Sequence, residues 1–165
     1  MREQVNEQTE EKWVKRLLDT QQRAGGWIRM WAGFFDFIFL TLIMIVTAAV
    51  TTSWMFVQSQ SPSDNIDYIR QYIWENEFHL YVINWIVLLI VFLTVHFIYA
   101  VRDKRTIGMI IVDLYVYNER AEKPNAGQFF IRELLKYLLF PFFLMSFSSS
   151  RRTLYDKITN TYLVK

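Results

Sequence analysis

AGFFDFIFLTLIMIVTAAVTTSWMFV, residues 32–57, is a run of 26 residues with one charged side chain. A second run, LYVINWIVLLIVFLTVHFIYAV at residues 80–101, has 22 residues and no Asp, Glu, Lys or Arg. About 20 apolar residues at a rise of 1.5 Å cross a hydrocarbon layer of roughly 30 Å. Two buried helices of a soluble domain are the alternative, but a chain of 165 residues offers too little protein to cover both on every face. We therefore predict two full membrane spans, over residues 30–57 and 80–101.

The composition excludes several classes of function. The chain has no cysteine, and its two histidines, His79 and His96, are not at a metal-ligand spacing. It has 18 Lys and Arg against 16 Asp and Glu, and this small excess does not indicate a nucleic-acid partner. The motifs G-x-S-x-G and H-E-x-x-H are absent, as is a carboxylate pair at catalytic spacing. We predict that the protein is not an enzyme and holds no metal or cofactor.

The positions of Lys and Arg predict the orientation of the spans. Six of these residues precede the first span, whereas Arg70 is the only one between the spans, and five more follow between residues 102 and 123. Cytoplasmic loops carry the excess of Lys and Arg. The polar N-terminus and the absence of a cleavage site after the first run argue against a signal peptide. We predict a multi-pass protein of the cytoplasmic membrane, with both termini and residues 102–128 cytoplasmic and the loop 58–79 outside.

A third hydrophobic segment covers residues 129–148. Its first half carries Arg132, Glu133 and Lys136, and Pro141 interrupts the uncharged second half. Proline breaks helices, and irregular backbone at membrane depth needs cover by protein. We predict a helix that enters from the cytoplasmic side and kinks at Pro141, or one that lies in the interface. A third full span is the alternative.

The remaining segments complete a single domain over residues 1–165. We predict that residues 1–28 form a cytoplasmic amphipathic segment. Within it, residues 9–23 are either an interfacial helix or a loosely ordered tail. Residues 110–117 (IIVDLYVY), and residues 159–164 in the C-terminal segment 149–165, are rich in β-branched and aromatic residues. We expect these two stretches to pair. The predicted fold class is an α-helical membrane protein with two full spans, a third kinked, re-entrant or interfacial helix, and a small cytoplasmic β-ribbon.

Asp36 is the most costly residue of the first span. An aspartate in mid-membrane costs about 2.5–3.5 kcal/mol on insertion scales, and less near the interface. Arg29 is two turns earlier on the same face, and His96 is at a similar depth on the second span. We hypothesise that Asp36 and His96 face each other, with Arg29 below and Asn84 higher on the second span.

Two interpretations of Asp36 remain open. In the first, Asp36 binds a proton or an ion, with His96 as its partner. In the second, it is a permanently charged tie to Arg29, Arg132 or Lys136 that fixes the third hydrophobic segment.

Four motifs occur in order around the two spans: RMWAGFFD at 29–36, TIG at 106–108, RELL at 132–135 and RRTLYDKI at 151–158. In these motifs the chain resembles the RDD family of prokaryotic membrane proteins. The resemblance covers residues 24–164 and implies that Arg29, Asp36 and Asp156 are the arginine and the two aspartates that name the family. The chain departs from the family pattern at Tyr155, where histidine is common, at Met109, where lysine is usual, and at Asp113, where a second glycine is expected.

The resemblance implies either transport or an accessory role. Some members of the family are described as cation/proton antiporters, and other small members look like regulators of membrane machinery. A transporter of this size requires a homo-oligomer, because two spans cannot enclose a path. We therefore favour a regulatory subunit, whose partner is a membrane protein such as a protease, a transporter or an envelope-stress factor, and we expect anionic lipid at the cytoplasmic face. Asp156 is expected to anchor the C-terminal strand through Arg151, Arg152 or Arg132.

Overall fold

The computed structural model describes Asp19 and residues 22–165, so almost all of the predicted helix over residues 9–23 lies outside the described residues. The described part is mostly helical, with one pair of short strands. The elements in chain order are α1 (Gly26–Gln58), α2 (Ile66–Asn76), α3 (Phe78–Arg102), α4 (Ile107–Ile111), β1 (Tyr115–Asn118), α5 (Ala126–Leu138), a 3-10 helix (Phe140–Phe147), α6 (Leu154–Ile158) and β2 (Thr161–Val164).

Helices α1 and α3 contain the two long apolar runs. They have 33 and 25 residues, and within the described residues they are the two helices that are long and apolar enough to cross a membrane. The chain divides into two compact units, one formed by residues up to Phe37 together with residues 96–165, and the other by residues 38–95. Both long helices contribute to both units.

The unit formed by residues 38–95 has a small apolar core. Met55, Ile73 and Leu80 are buried against one another at the end of α1, on α2 and at the start of α3. Helix α2 begins after Asn65, whose side chain accepts hydrogen bonds from the backbone N–H groups of the next turn. The Thr51 hydroxyl lies 2.5 Å from Oδ1 of Asn84 and joins α1 to α3.

The core of the other unit contains buried residues of six helices and strands, together with Ala24 and Leu114 between them. Within this core, α4 lies directly against α1. Thr106 caps α4, because its hydroxyl accepts from the Met109 N–H. A Cβ at Gly108 would stand 1.9 Å from the Ala32 carbonyl oxygen, so only glycine fits at this contact. The buried apolar residues of this core are Ala24, Ala32, Ala100, Met109, Leu114, Val116, Phe129 and Leu163.

Strand β1 pairs with β2 in antiparallel register, with Tyr115 opposite Val164 and Asn118 opposite Thr161. The prediction of a strand from Ile110 was wrong, because Ile110 and Ile111 belong to α4. The cap at Thr106 starts a helical turn, and the left-handed backbone at Asp113 (φ 56°) ends it before the strand begins. Local capping therefore overrides the β propensity of these isoleucines.

Residues 22–24 lie along the other edge of β2. The Ala24 N–H donates to the Leu163 carbonyl over 2.8 Å, and the Lys165 N–H donates to the Gln22 carbonyl over 3.3 Å. Strand β2 thus has hydrogen-bonded neighbours on both sides, and all four of its residues are buried. The sequence pattern carries no signal for this contact, which joins the start of α1 to the C-terminal strand.

The third hydrophobic segment is two helices rather than one. Helix α5 begins after Asn125, three residues earlier than the predicted start of the segment, because the Asn125 side chain accepts from the Gln128 N–H. It ends at Leu138, and the 3-10 helix that follows contains Pro141 in its first turn. The 13 residues of α5 cover about 20 Å, which is less than the roughly 30 Å of a hydrocarbon layer.

Candidate functional site: a buried chain of six charges

Six charged side chains of alternating sign follow one another through contacts between α1, α5 and α6. We refer to them as the six-charge chain. Three are cations and three are anions, so their charges balance, as charges inside a protein must. Four of them, Arg29, Arg132, Glu133 and Asp156, are almost completely buried. In order of contact the six are Arg29, Asp156, Arg132, Glu133, Lys136 and Asp36.

Asp156 is the anion between two arginines. Oδ2 pairs with Arg29, and Oδ1 lies 3.0 Å from Nη2 of Arg132. The first turn of α6 is closed by a capping box, in which the Thr153 N–H donates to Asp156 over 3.2 Å. Burial alone would raise the pKa of Asp156, but the positive charges of Arg29 and Arg132 lower the pKa to about 2. Asp156 is therefore an anion at neutral pH.

Arg29 uses its whole guanidinium group. Besides the ion pair with Asp156, Nε donates to the Ala24 carbonyl over 2.9 Å and Nη2 donates to the Arg151 carbonyl over 2.8 Å. Arg151 has a left-handed backbone (φ 47°), which is uncommon for a residue with a side chain. Arg29 thus binds the loop before α6 instead of Asp36 two turns along its own helix.

Glu133 and Lys136 occupy one face of α5. Lys136 Nζ lies 2.6 Å from Oε2 of Glu133, and the other carboxylate oxygen pairs with Arg132. Burial would raise the pKa of Glu133, whereas Lys136 and Arg132 together bring it below the usual value. Lys136 also lies 3.2 Å from Oδ2 of Asp36 and so connects α5 to α1.

Asp36 accepts from three donors. Its Oδ2 receives the Thr106 hydroxyl at 2.7 Å and Lys136 at 3.2 Å, and its Oδ1 receives the Gly108 backbone N–H at 2.7 Å. The sequence offers Arg29, Arg132 and Lys136 as possible ion-pair partners of Asp36. Of these three, Lys136 is the one that contacts its carboxylate. Three donors, one of them charged, give both carboxylate oxygens of Asp36 a hydrogen-bond partner.

His96 contacts the residue next to Lys136. Its Nε2 lies 3.1 Å from the Tyr137 hydroxyl, and the two rings meet edge to face. Among the described residues, the hydrogen bonds of Asp36 go to Thr106, Gly108 and Lys136, so the direct pair of Asp36 and His96 that we hypothesised does not form. Asn84, which we placed near this pair, bonds to Thr51 in the unit formed by residues 38–95.

The arginines before α6 do not pair with the Asp156 carboxylate. Arg151 donates from Nη1 to the Arg23 carbonyl, and Arg152 donates from Nη2 to the main-chain oxygen of Asp156 over 3.4 Å. Of the three arginines that the sequence proposed as partners of Asp156, Arg132 is the one that pairs. In the described part of the chain, no group of three or more His, Asp or Glu is placed to hold a metal ion.

Sequence reasoning missed part of the site. Glu133 and Tyr137 are not among the predicted site residues, although Glu133 lies between Arg132 and Lys136 in the same segment. Gly108 was noted as a motif residue without a role, but its N–H binds Asp36 and its missing side chain permits the contact with α1. The motif Thr106-Ile107-Gly108 carried the available signal. A threonine is a common residue at a helix start, where the first N–H groups have no partner within the helix and can bind an anion.

Two long apolar helices and a charge-balanced buried centre define a membrane-associated helical protein. Over residues 23–160 the chain matches the RDD family, and it belongs to that family. No curated protein and no solved structure matches it. The arginine and the two aspartates that the resemblance selected, Arg29, Asp36 and Asp156, all belong to the six-charge chain, with Arg29 and Asp36 at its two ends.

Proposed function

We propose that this RDD protein is a regulatory or interaction subunit of another component of the cytoplasmic membrane, such as a membrane protease or an envelope-stress factor. Both termini are cytoplasmic in this proposal. The distribution of Lys and Arg supports the orientation, since Arg70 is the only such residue between α1 and α3.

The exposure of the long helices carries the proposal. In the most apolar 18-residue stretch of α1 no residue is buried inside the protein, and in the corresponding stretch of α3 only 11% of the residues are buried. Ile45 and Val50, for example, expose more than 60% of their surface. Helices that make so few contacts within their own chain leave whole faces for lipid or for another helix. An interaction subunit needs such faces.

The surroundings of Asp36 favour a fixed role over ion exchange. A carboxylate that carries protons must become neutral, and here neutralisation would leave Lys136 without one of its two anions. The Thr106 hydroxyl and the Gly108 N–H are also oriented toward an anion. Asp36 thus joins α1, α4 and α5, which is the structural interpretation of the sequence.

The third hydrophobic segment supports a place at the cytoplasmic interface. Leu138 at the end of α5, and Phe140 and Leu144 in the 3-10 helix, each expose about 70% or more of their surface. Because α5 is too short to cross a hydrocarbon layer, an exposed apolar surface on this segment is typical of an element that lies in the membrane interface. Anionic lipid is the expected neighbour there.

Site-specific photo-crosslinking in the native membrane tests the proposal. A crosslinking amino acid at Ile45 or Val50 should yield an adduct with a different membrane protein. The same amino acid at Glu119, which is exposed in the β1 turn outside the long helices, serves as the matched control. Adducts with lipid alone at both helix positions would contradict a partner on this face of α1. Adducts only between copies of the chain would favour the alternative below.

The alternative is a homo-oligomeric cation/proton antiporter or small-solute transporter that works through Asp36. The contact of His96 with Tyr137, next to the lysine that binds Asp36, favours it, because linked titratable groups near a membrane span mark proton pathways. The test is cation-driven proton flux into liposomes, with Asp36→Asn as the variant. Asp113→Asn, which removes an exposed carboxylate, is the control. Flux that is abolished by Asp36→Asn and not by Asp113→Asn would establish the transporter. Absence of flux from folded wild-type protein would exclude transport of the cations tested.

A further inference from the structure

We propose that Arg152, Arg23 and Tyr162 form a binding site for the phosphate group of an anionic lipid. The inference rests on the proposed place of this unit at the cytoplasmic face of the membrane. The guanidinium carbons of Arg152 and Arg23 lie 4.1 and 4.8 Å from the centre of the Tyr162 ring. Tyr162 is buried in the middle of β2, so two guanidinium groups pack against one fixed ring.

Arg152 lacks the anion that the other arginines near Asp156 have. Its hydrogen bonds go to the Tyr162 hydroxyl over 3.3 Å and to the Asp156 main-chain oxygen over 3.4 Å, and both acceptors are neutral. Within the described residues no ion pair includes Arg152. Arg29 and Arg132, by contrast, both bind the Asp156 carboxylate.

One donor of Arg152 is buried and unused. In the described part of the chain, Nε of Arg152 has no hydrogen-bond partner. A buried donor without an acceptor is costly, and a half-buried guanidinium group without an anionic partner is well suited to phosphate oxygens. The planar group is already held in place by the Tyr162 ring, so little side-chain freedom is lost when an anion binds.

The surroundings favour a lipid over a soluble phosphate ester. Trp27 and Phe147 are exposed and meet edge to face at 5.8 Å. Trp27 lies at the start of α1, four residues after Arg23 in the sequence. The carbonyl of Ser150, three residues beyond Phe147, accepts from Arg23 over 3.0 Å. Apolar rings beside a cationic pair are suited to a molecule that has a phosphate and acyl chains together.

Native mass spectrometry of the full-length protein in detergent, titrated with phosphatidylglycerol, tests the site. The wild type should retain one phosphatidylglycerol per chain in preference to phosphatidylcholine. Arg152→Gln should weaken retention by about tenfold, since charge-assisted hydrogen bonds are lost. Arg120→Gln, the same charge change in the exposed turn after β1, should bind as the wild type does. Arg152→Lys, which keeps the charge without the planar fork, should fall between them.

Three results would overturn the site. One is an equal loss in Arg152→Gln and Arg120→Gln, which indicates general attraction between charges. Another is the absence of preference for phosphatidylglycerol over phosphatidylcholine. The third is displacement of the lipid by an equal concentration of glycerol 3-phosphate, which assigns the site to soluble phosphate esters. If Arg152→Gln lowers the unfolding midpoint, the test uses Arg152→Lys instead. Retention of phosphatidylglycerol at the wild-type level in folded Arg152→Lys would overturn the role of the planar guanidinium group. Lipid retention requires no protein partner. The lipid-binding test and the crosslinking test can therefore give independent outcomes, and failure of one does not imply failure of the other.

Discussion

The six-charge chain and the pair formed by Thr51 and Asn84 show two ways in which this protein places polar side chains among apolar helices. The first consists of full charges, each of which depends on its neighbours for compensation. The second is a single neutral hydrogen bond between α1 and α3. Removing one member of the first leaves buried charges uncompensated, whereas removing one member of the second loses one bond. Substitutions should therefore affect the two regions very differently.

Asp156→Ala should have the largest effect. It removes the anion shared by Arg29 and Arg132, and breaking a buried ion pair costs about 3–5 kcal/mol for a single cation. We expect loss of folded protein from the membrane, measured as protease-resistant protein. Asp113→Asn removes a charge that is 70% exposed and pairs with Arg105, and asparagine tolerates the left-handed backbone at this position, so it should cost at most about 1 kcal/mol. Equal yields of the two variants would show that the six-charge chain does not stabilise the fold.

Gly108→Ala should follow. The new methyl group would collide with the backbone of α1 at Ala32, and close packing costs about 1–3 kcal/mol when it forces backbone to move. It would also move the N–H that binds Asp36. Gly33→Ala is the control, because a Cβ at Gly33 has no atom within 4 Å. The measurement is the midpoint of unfolding in increasing dodecyl sulfate, and similar midpoints for both variants would contradict the close approach of α4 and α1.

Acid should weaken the charged region before it weakens the neutral one. The folded pKa of Asp156 is about 2, below the ordinary value of 3.8, so its contribution is complete at pH values above about 4 and is lost as the pH falls toward 2. This contribution is roughly 2 kcal/mol. Protection of backbone amides against hydrogen exchange, compared at pH 5 and pH 3, should fall in α6 and not around Thr51. A uniform fall across both regions would contradict the prediction.

Thr51→Val should have the smallest effect. The side chain keeps its shape and loses the hydrogen bond to Asn84, and such bonds within membranes are worth about 1 kcal/mol or less. The same dodecyl sulfate titration should give a midpoint slightly below that of the wild type. The double variant with Asn84→Leu should be no less stable than Thr51→Val alone, since both partners are then apolar. A loss as large as that of Asp156→Ala would remove the distinction between the regions.

The sequence was most informative where burial is costly. Asp36 in an apolar run required a cation, and Lys136 was among the three that the sequence offered. Asp156 required one as well, and Arg132 was named for it. These inferences depend on charge balance alone.

Contacts that depend on backbone conformation could not be predicted in the same way. Arg29 pairs directly with Asp156 and also donates to the Arg151 carbonyl in the loop before α6. The backbone of Arg151 is left-handed, and nothing in the residue pattern required that conformation. Ile110 and Ile111 have strand propensity, but the Thr106 cap places them in a helix. Residues 22–24 gave no strand signal because only three residues pair with β2.

The pairing of Arg29 with Asp156 has a consequence during synthesis. The two residues are separated by 127 positions, so at 5–20 residues per second the arginine leaves the ribosome roughly 6–25 s before its carboxylate. Throughout that interval the first helix carries a cation whose burial is not yet compensated. The ion pair can form only in a chain that has been extended through α6, so an interrupted chain leaves Arg29 without this anion.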